Sequence, residues 1–299
     1  MVRPTNFSTN YENLVDNKFM NESKDVNSNQ KAQAEFDSFV KNLTQIGVEV
    51  EVFDQPCFEA ADAIFPNNWF STHKNKYFPE GLLIIYPMKS ALRRLERNST
   101  IIEKLKTNYK NFVDLTYLEK EAEFLESTGC LILDNLNKRV FCSLSERASK
   151  KALDIFIDNF NKYSLEPFEL ITFNSFDLDN NSIYHTNVLL SILENHVVIC
   201  SETINDEGER KKVLQKLSEN REIVELSFAE LKNFGCNVLM VKNFKNENVL
   251  IISQTALNNL SEKNRKILCD NYKICVNRID IIEFIGGGSA RCMVCEIFE

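Results

Sequence analysis

The period of the apolar positions changes repeatedly along the chain. In "AQAEFDSFVKNLTQIG", Phe36, Phe39, Val40, Leu43 and Ile46 recur at three- and four-residue spacing, which predicts an amphipathic helix ended by Gly47. "VEVEVF" follows with strict alternation, the period of a half-buried strand. The same rhythm returns in "LLIIY", then "LRRLERNSTIIEKLK", then "VDLTYL". It recurs in "RASKKALDIFIDNFN" before "FELITF", in "ERKKVLQKL" before "EIVELS", and in "LNNLSEKNRKIL" before "KICVNRI". The gaps are short and carry no Pro/Ser-rich linker. The pattern predicts one continuous α/β domain over residues 1–299, built from about five similar units without repetition of residue identity.

Composition narrows the class. A chain of 299 residues with 43% hydrophobic content can bury a large core. The net charge of -8, with lysines and arginines interleaved among acids, argues against a nucleic-acid or anionic-membrane surface, since both need a clustered positive field. The longest apolar run, "GLLIIYPM", is too short to span a membrane, and "MVRPTNFSTN" carries no signal-peptide core. Nine cysteines without a regular framework read as free thiols, so a cytoplasmic protein is expected.

Four segments carry candidate chemistry. "GGGSARCMVCEIFE" places a triple glycine and two cysteines at residues 286–299, where order is ordinarily lost. "RCMVCEIF" predicts a short strand on which Cys292 and Cys295 face opposite sides, so at most one is functional. "CMVC" has no second pair to complete a zinc site, and both cysteines are equally readable as small buried hydrophobes. Of the three histidines, His185 in "SIYHTNVLLSIL" stands at a strand end, as a base or as a core residue; His73 and His196 are weaker candidates. Glu126 in "EFLESTGCLILD" precedes a Thr-Gly turn, where it could orient a histidine or cap the turn. "ADAIFPNNWFSTH" holds Asp62, Asn67 and Asn68 in a polar loop, either a ligand site or a plain turn.

Together these segments resemble the guanidine-modifying, or amidinotransferase, superfamily, which includes arginine deiminase, dimethylargininase, succinylarginine dihydrolase and the citrulline-utilisation hydrolases. "MVRP", "DAIFPNNWFSTH", "YPM" with "RRLER", "HTNV" and "GGGSARCM" are most similar to the last group. The resemblance implies a pentein fold, a five-bladed α/β propeller of ββαβ units around a pseudo-fivefold axis. In such a fold the last strand lines the central site, and the glycines let backbone pass close to substrate. It further implies Cys292 as nucleophile, His185 as acid/base and Glu126 as its orienting carboxylate. Arg93 and Arg147 would clamp the substrate α-carboxylate, with Asp62 near the α-amino group. The activity implied is that of a cofactor-free and metal-free thiol hydrolase taking a small amino-acid substrate; a homodimer stays open.

The chain departs from the family in three places. Ser127 stands where a glycine is usual, which bears on the turn after Glu126. Where arginine deiminase and dimethylargininase hold the guanidinium with acids, this chain has Asn67 and Asn68, and it has Asn187 in place of the deiminase's aspartate. A buried guanidinium wants ionised carboxylates, whereas a neutral ureido group suits amide donors and acceptors. The expectation is therefore citrulline hydrolysis to ornithine, carbon dioxide and ammonia. Arginine deimination, arginine dihydrolysis or dimethylargininase-type activity at the same cysteine is the second reading, and a noncatalytic pentein binding protein the third. The polar, aromatic "TNFSTNYENLVDN" reads equally as a lid or a surface arm.

Overall fold

A computed structural model describes residues 1–15 and 17–298. Four three-stranded sheets repeat one plan. The first holds β3 (Phe70–His73), β4 (Leu82–Ile85) and β5 (Asn111–Asp114). The second holds β6 (Ile132–Asp134), β7 (Arg139–Leu144) and β8 (Glu169–Asn174). The third holds β9 (Leu190–Ile192), β10 (His196–Ile199) and β11 (Glu222–Glu225). The fourth holds β12 (Leu239–Lys242), β13 (Asn248–Ser253) and β14 (Lys273–Asn277). In every sheet the first two strands pair antiparallel and the middle strand pairs parallel with the third. Helical crossovers make the parallel pairing possible. They include Ser99–Lys106, Lys150–Tyr163, Glu207–Leu217 and Glu262–Asn271, each opened by a side-chain cap from Asn98, Ser149, Asp206 or Ser261.

The middle strands read as apolar runs because both of their faces are covered. Alternate residues serve different neighbours. Leu82 and Ile84 join the cluster shared with the second sheet, while Leu83 and Ile85 pack with Val2 and Ile101. Likewise Leu250 and Ile252 pack toward the third sheet, and Val249 and Ile251 toward Phe36, Phe39 and Cys292. The core is thus a set of seams between successive blades, as the α/β propeller expectation requires.

The fifth unit is the exception. The helix Ser28–Ile46 ends at Gly47, whose φ of 90° is left-handed, as its sequence position predicts. It connects β1 (Val2–Arg3) to β2 (Phe53–Asp54), which pair in parallel. Of the "VEVEVF" alternation only Phe53 is paired, with Asp54 just beyond it, since the strand it would extend along is itself two residues long. Residues 291–298 take the inner place of this unit without forming the predicted strand. Their backbone begins in turns, with Cys292 N donating to Ser289 O and Val294 N to Arg291 O. They then meet β3 through a side chain: Thr72 Oγ1 donates to Glu296 O (2.9 Å) and accepts from Phe298 N (3.2 Å). Among the described residues no helix is long and apolar enough to cross a membrane.

Candidate active site

The polar chemistry stands on the turns that lead into the inner strands. These are Pro66–Asn68 before β3, Ser127–Cys130 before β6, Thr186–Val188 before β9, residues 234–237 before β12, and residues 289–292 in the fifth unit. Hydrogen bonds run from turn to turn. Thr128 Oγ1 donates to Asn67 O (3.1 Å), Asn187 Nδ2 to Thr128 O (3.4 Å), and Asn237 Nδ2 to Asn187 O (3.0 Å) and to Cys292 Sγ (3.4 Å). Cys295 Sγ donates to Phe70 O (3.5 Å), which returns the series to the first unit.

Within this ring Glu126 and His185 are joined at 2.7 Å, Oε2 to Nε2, and both are buried. Burial alone would raise the Glu126 carboxyl. The Arg147 guanidinium, the His185 hydrogen bond and Arg93 overcome it and hold the group well below the usual carboxylate range. An ionised Glu126 accepts from Nε2–H, which leaves Nδ1 as the basic nitrogen. Burial lowers His185 from its ordinary value, with Glu126 opposing that shift. Gly129 is required here, because a Cβ on it would stand 2.9 Å from His185 Nδ1 and 2.4 Å from the Asn68 amide. Ser127 tolerates the glycine-like turn: its φ is 38°, and its hydroxyl donates to Phe70 O at 2.8 Å. The Cys292 sulfur meets Asn237 and, at 3.8 Å, the Nδ2 of Asn187, two residues beyond His185.

The other histidines are structural. His73 is sandwiched by Phe78 and Phe160 and bonded to Ser71, and burial pushes its pKa down to about 3. His196 is bonded to Tyr272. Burial pushes the Cys295 thiol up to about 12, and its sulfur donates to Phe70 O.

The expected arginine clamp is more committed than its sequence suggests. Arg93 makes a bidentate pair with Glu96 (Nε at 2.6 Å, Nη2 at 3.0 Å) and approaches Glu126 at 3.6 Å and Asp62 at 3.9 Å. Its surroundings assign the Asn68 amide with the oxygen facing Arg93 Nη1 and Nη2 (3.0 and 2.9 Å) and the nitrogen donating to Asn67 Oδ1 (3.3 Å). Asn68 therefore complements an internal guanidinium, a contact of which the sequence carried no sign. Arg147 touches Glu126 (3.3 Å) and Asn13 (3.2 Å) and lies over the Tyr184 ring.

Asp62 Oδ2 accepts from Asn10 (2.9 Å) and Asn13 (2.6 Å), so the amino-terminal segment lies over the site through Asn10 and Asn13, while its Asp16 lies outside the described residues. In the triple glycine, a Cβ on Gly286 or Gly288 would strike the Phe65 ring at 2.6 or 2.9 Å, and Gly287, at φ 61°, faces Asn17 and Met20. Close packing against the Asn-Asn loop and the amino-terminal segment excludes side chains there.

Among the described residues five buried side-chain polar atoms lack a hydrogen-bond partner, and three belong to this site: Asp62 Oδ1, Asn67 Nδ2 and Asn187 Oδ1. Leaving such groups unpaired costs about 1–3 kcal/mol each, and together they offer two acceptors and one donor to a partner. Sequence reasoning missed Asn237 and Glu96. The signal for Asn237 is the repeated "NVL" at residues 187–189 and 237–239, each time just ahead of an inner strand.

Solved structures share this architecture. The cyanobacterial arginine dihydrolase ArgZ, of the ornithine–ammonia cycle, is 16% identical over 98% of this chain with a TM-score of 0.73; the chain covers 39% of that protein, about two fifths of its length. Its isolated N-terminal domain, in a mutant bound to substrate, gives 14% identity and a TM-score of 0.73, with 98% of this chain and 95% of that one covered. A dimethylarginine dimethylaminohydrolase adduct with S-methyl-L-thiocitrulline gives 16% identity and a TM-score of 0.66, with 98% and 96% covered. These likenesses show a shared pentein fold. No curated protein matches the chain. The family model for N,N dimethylarginine dimethylhydrolase, eukaryotic, matches residues 3–299.

Proposed function

The chain belongs to the N,N dimethylarginine dimethylhydrolase, eukaryotic, family, and from that premise we propose that it is a thiol hydrolase cleaving the ureido group of citrulline. The observation that carries the choice is the pair of unsatisfied amides, Asn67 Nδ2 and Asn187 Oδ1, in the ring of turns that holds Cys292 and His185. One donor and one acceptor complement a neutral ureido group, with its carbonyl and its N–H groups. A guanidinium has no acceptor for Asn67 Nδ2, and the carboxylates of the site are engaged by Arg93, Arg147, His185, Asn10 and Asn13.

The Cys292 thiolate attacks the ureido carbon, and the carbonyl π pair moves onto oxygen. Collapse of that intermediate expels the δ-nitrogen, which takes a proton from His185 and leaves as the amine of ornithine. The remaining S-carbamoyl group is hydrolysed by one water, deprotonated by His185 Nδ1; the sulfur departs and carbamic acid falls apart to carbon dioxide and ammonia. Glu126 holds the imidazole and stabilises its cationic form. Asp62 Oδ1 is the acceptor suited to the α-amino group, and Arg147 and Arg93 supply positive potential for the α-carboxylate.

Family membership favours a second reading, with arginine or a methylated arginine as substrate at the same cysteine. Purified protein is incubated separately with citrulline, arginine and dimethylarginine, and ornithine, ammonia, citrulline and dimethylamine are quantified. Ornithine from citrulline is expected. Citrulline released from either guanidino compound, without turnover of citrulline itself, rejects the first reading.

A further inference from the structure

We propose that Asn237 is a catalytic partner of the nucleophile, holding the Cys292 sulfur by hydrogen bonding in both its protonated and its ionised form. The inference rests on Cys292 being the nucleophile but not on citrulline being the substrate. The Asn237 side chain is 2% exposed, and its amide meets the sulfur with both ends: Nδ2 at 3.4 Å and Oδ1 at 3.6 Å. A thiol can donate to Oδ1, and a thiolate can accept from Nδ2. The amide's orientation is fixed because the other Nδ2 hydrogen is directed at Asn187 O, 3.0 Å away. That carbonyl belongs to the turn carrying His185, so one amide fixes the sulfur of the fifth unit relative to the base of the third.

The polar groups recorded around the sulfur are the amides of Asn237 and Asn187. Among the described residues those two uncharged amides are the side chains hydrogen-bonded to the Cys292 sulfur, and His185 stands two residues before Asn187 in the chain. Hydrogen bonds to an ionised acceptor are about twice as strong as neutral ones, so Nδ2 favours the thiolate over the thiol. During turnover the same N–H stays with the sulfur when it departs from the covalent intermediate, whichever substrate formed it, easing its expulsion.

The test compares wild type with Asn237→Leu, close in shape and without polar atoms, and with Asn237→Ala. Thermal melting reports folding. Iodoacetamide labelling of Cys292, followed by peptide mass spectrometry across a pH series, reports thiolate availability without any substrate. In folded variants, labelling near neutral pH should slow at least fivefold, with the difference closing at high pH. Turnover of the preferred substrate should fall about tenfold to a hundredfold in kcat, with KM within threefold. An unchanged labelling profile in a folded variant overturns the proposal, as does loss of folding in both variants, which would make Asn237 a framework residue. If wild type turns over none of the substrates, the labelling arm still decides the role of Asn237 while the substrate reading fails by itself.

Discussion

Asn67→Asp isolates the choice of substrate. Asn67 is fully buried, its Oδ1 accepts from Asn68, and its Nδ2 has no protein partner. The substitution keeps the first interaction and replaces one N–H₂ donor by an anionic acceptor of nearly the same shape. A carbonyl that had a donor now faces a buried charge. The loss of transition-state stabilisation should be about 2–4 kcal/mol, or roughly thirty- to a thousandfold in kcat/KM for citrulline. A guanidinium gains the carboxylate it lacked, so the ratio of arginine to citrulline turnover should rise. Asn68→Asp is the contrast, because its carboxylate would pair with Arg93 and perturb the arginine clamp rather than the reacting group. Steady-state kinetics of both variants on both substrates provide the readout. Citrulline turnover unchanged within twofold in folded Asn67→Asp would refute the reasoning from ligand charge.

Other expectations follow from packing and charge. Gly129→Ala forces a methyl against His185 and Asn68 and should lower kcat about a hundredfold while the fold survives, as circular dichroism and kinetics would show. Glu126→Gln leaves Arg147 and Arg93 with less compensating charge and weakens the hold on His185; urea denaturation should show about 3–5 kcal/mol lost. His73, with its folded pKa depressed to about 3, stays neutral in the fold while the unfolded chain takes up a proton below its ordinary value. The unfolded state then binds more protons, so stability must fall as pH drops through that window, by about 2 kcal/mol between pH 6.5 and 5 from this group. His73→Gln should flatten that slope, and an unaltered slope would assign it to other groups.

The blades were legible because crossover helices carry a one-sided apolar stripe and are flanked by short strand-like stretches such as "LLIIY" and "FELITF". The fifth unit was not, since residues 291–298 are held by the Thr72 hydroxyl and by turns, for which periodicity gives no signal. Cys292, His185 and Glu126 stood out as candidates at the entry to strand-like runs, and the roles proposed for them came from the family resemblance. The neutralisation of Arg93 was hidden, because Glu96, three residues on, also reads as an ordinary solvated helix pair. For the glycines a close approach is visible in sequence, but the group approached within the fold, Phe65, is not.

The ring of turns ties the appearance of the site to the end of folding. The contacts that bring residues 291–298 onto β3 join positions 224 and 226 residues apart, whereas each sheet is assembled from neighbouring sequence. Closing so long a span adds only a logarithmic entropy cost, yet contacts of this separation are slow to find. The individual blades can therefore form early as local units, and none of them contains the whole proposed centre: His185, Glu126 and Cys292 come from three different blades. Activity then reports circular closure itself, and a chain halted one blade short holds most of its secondary structure with no assembled nucleophile.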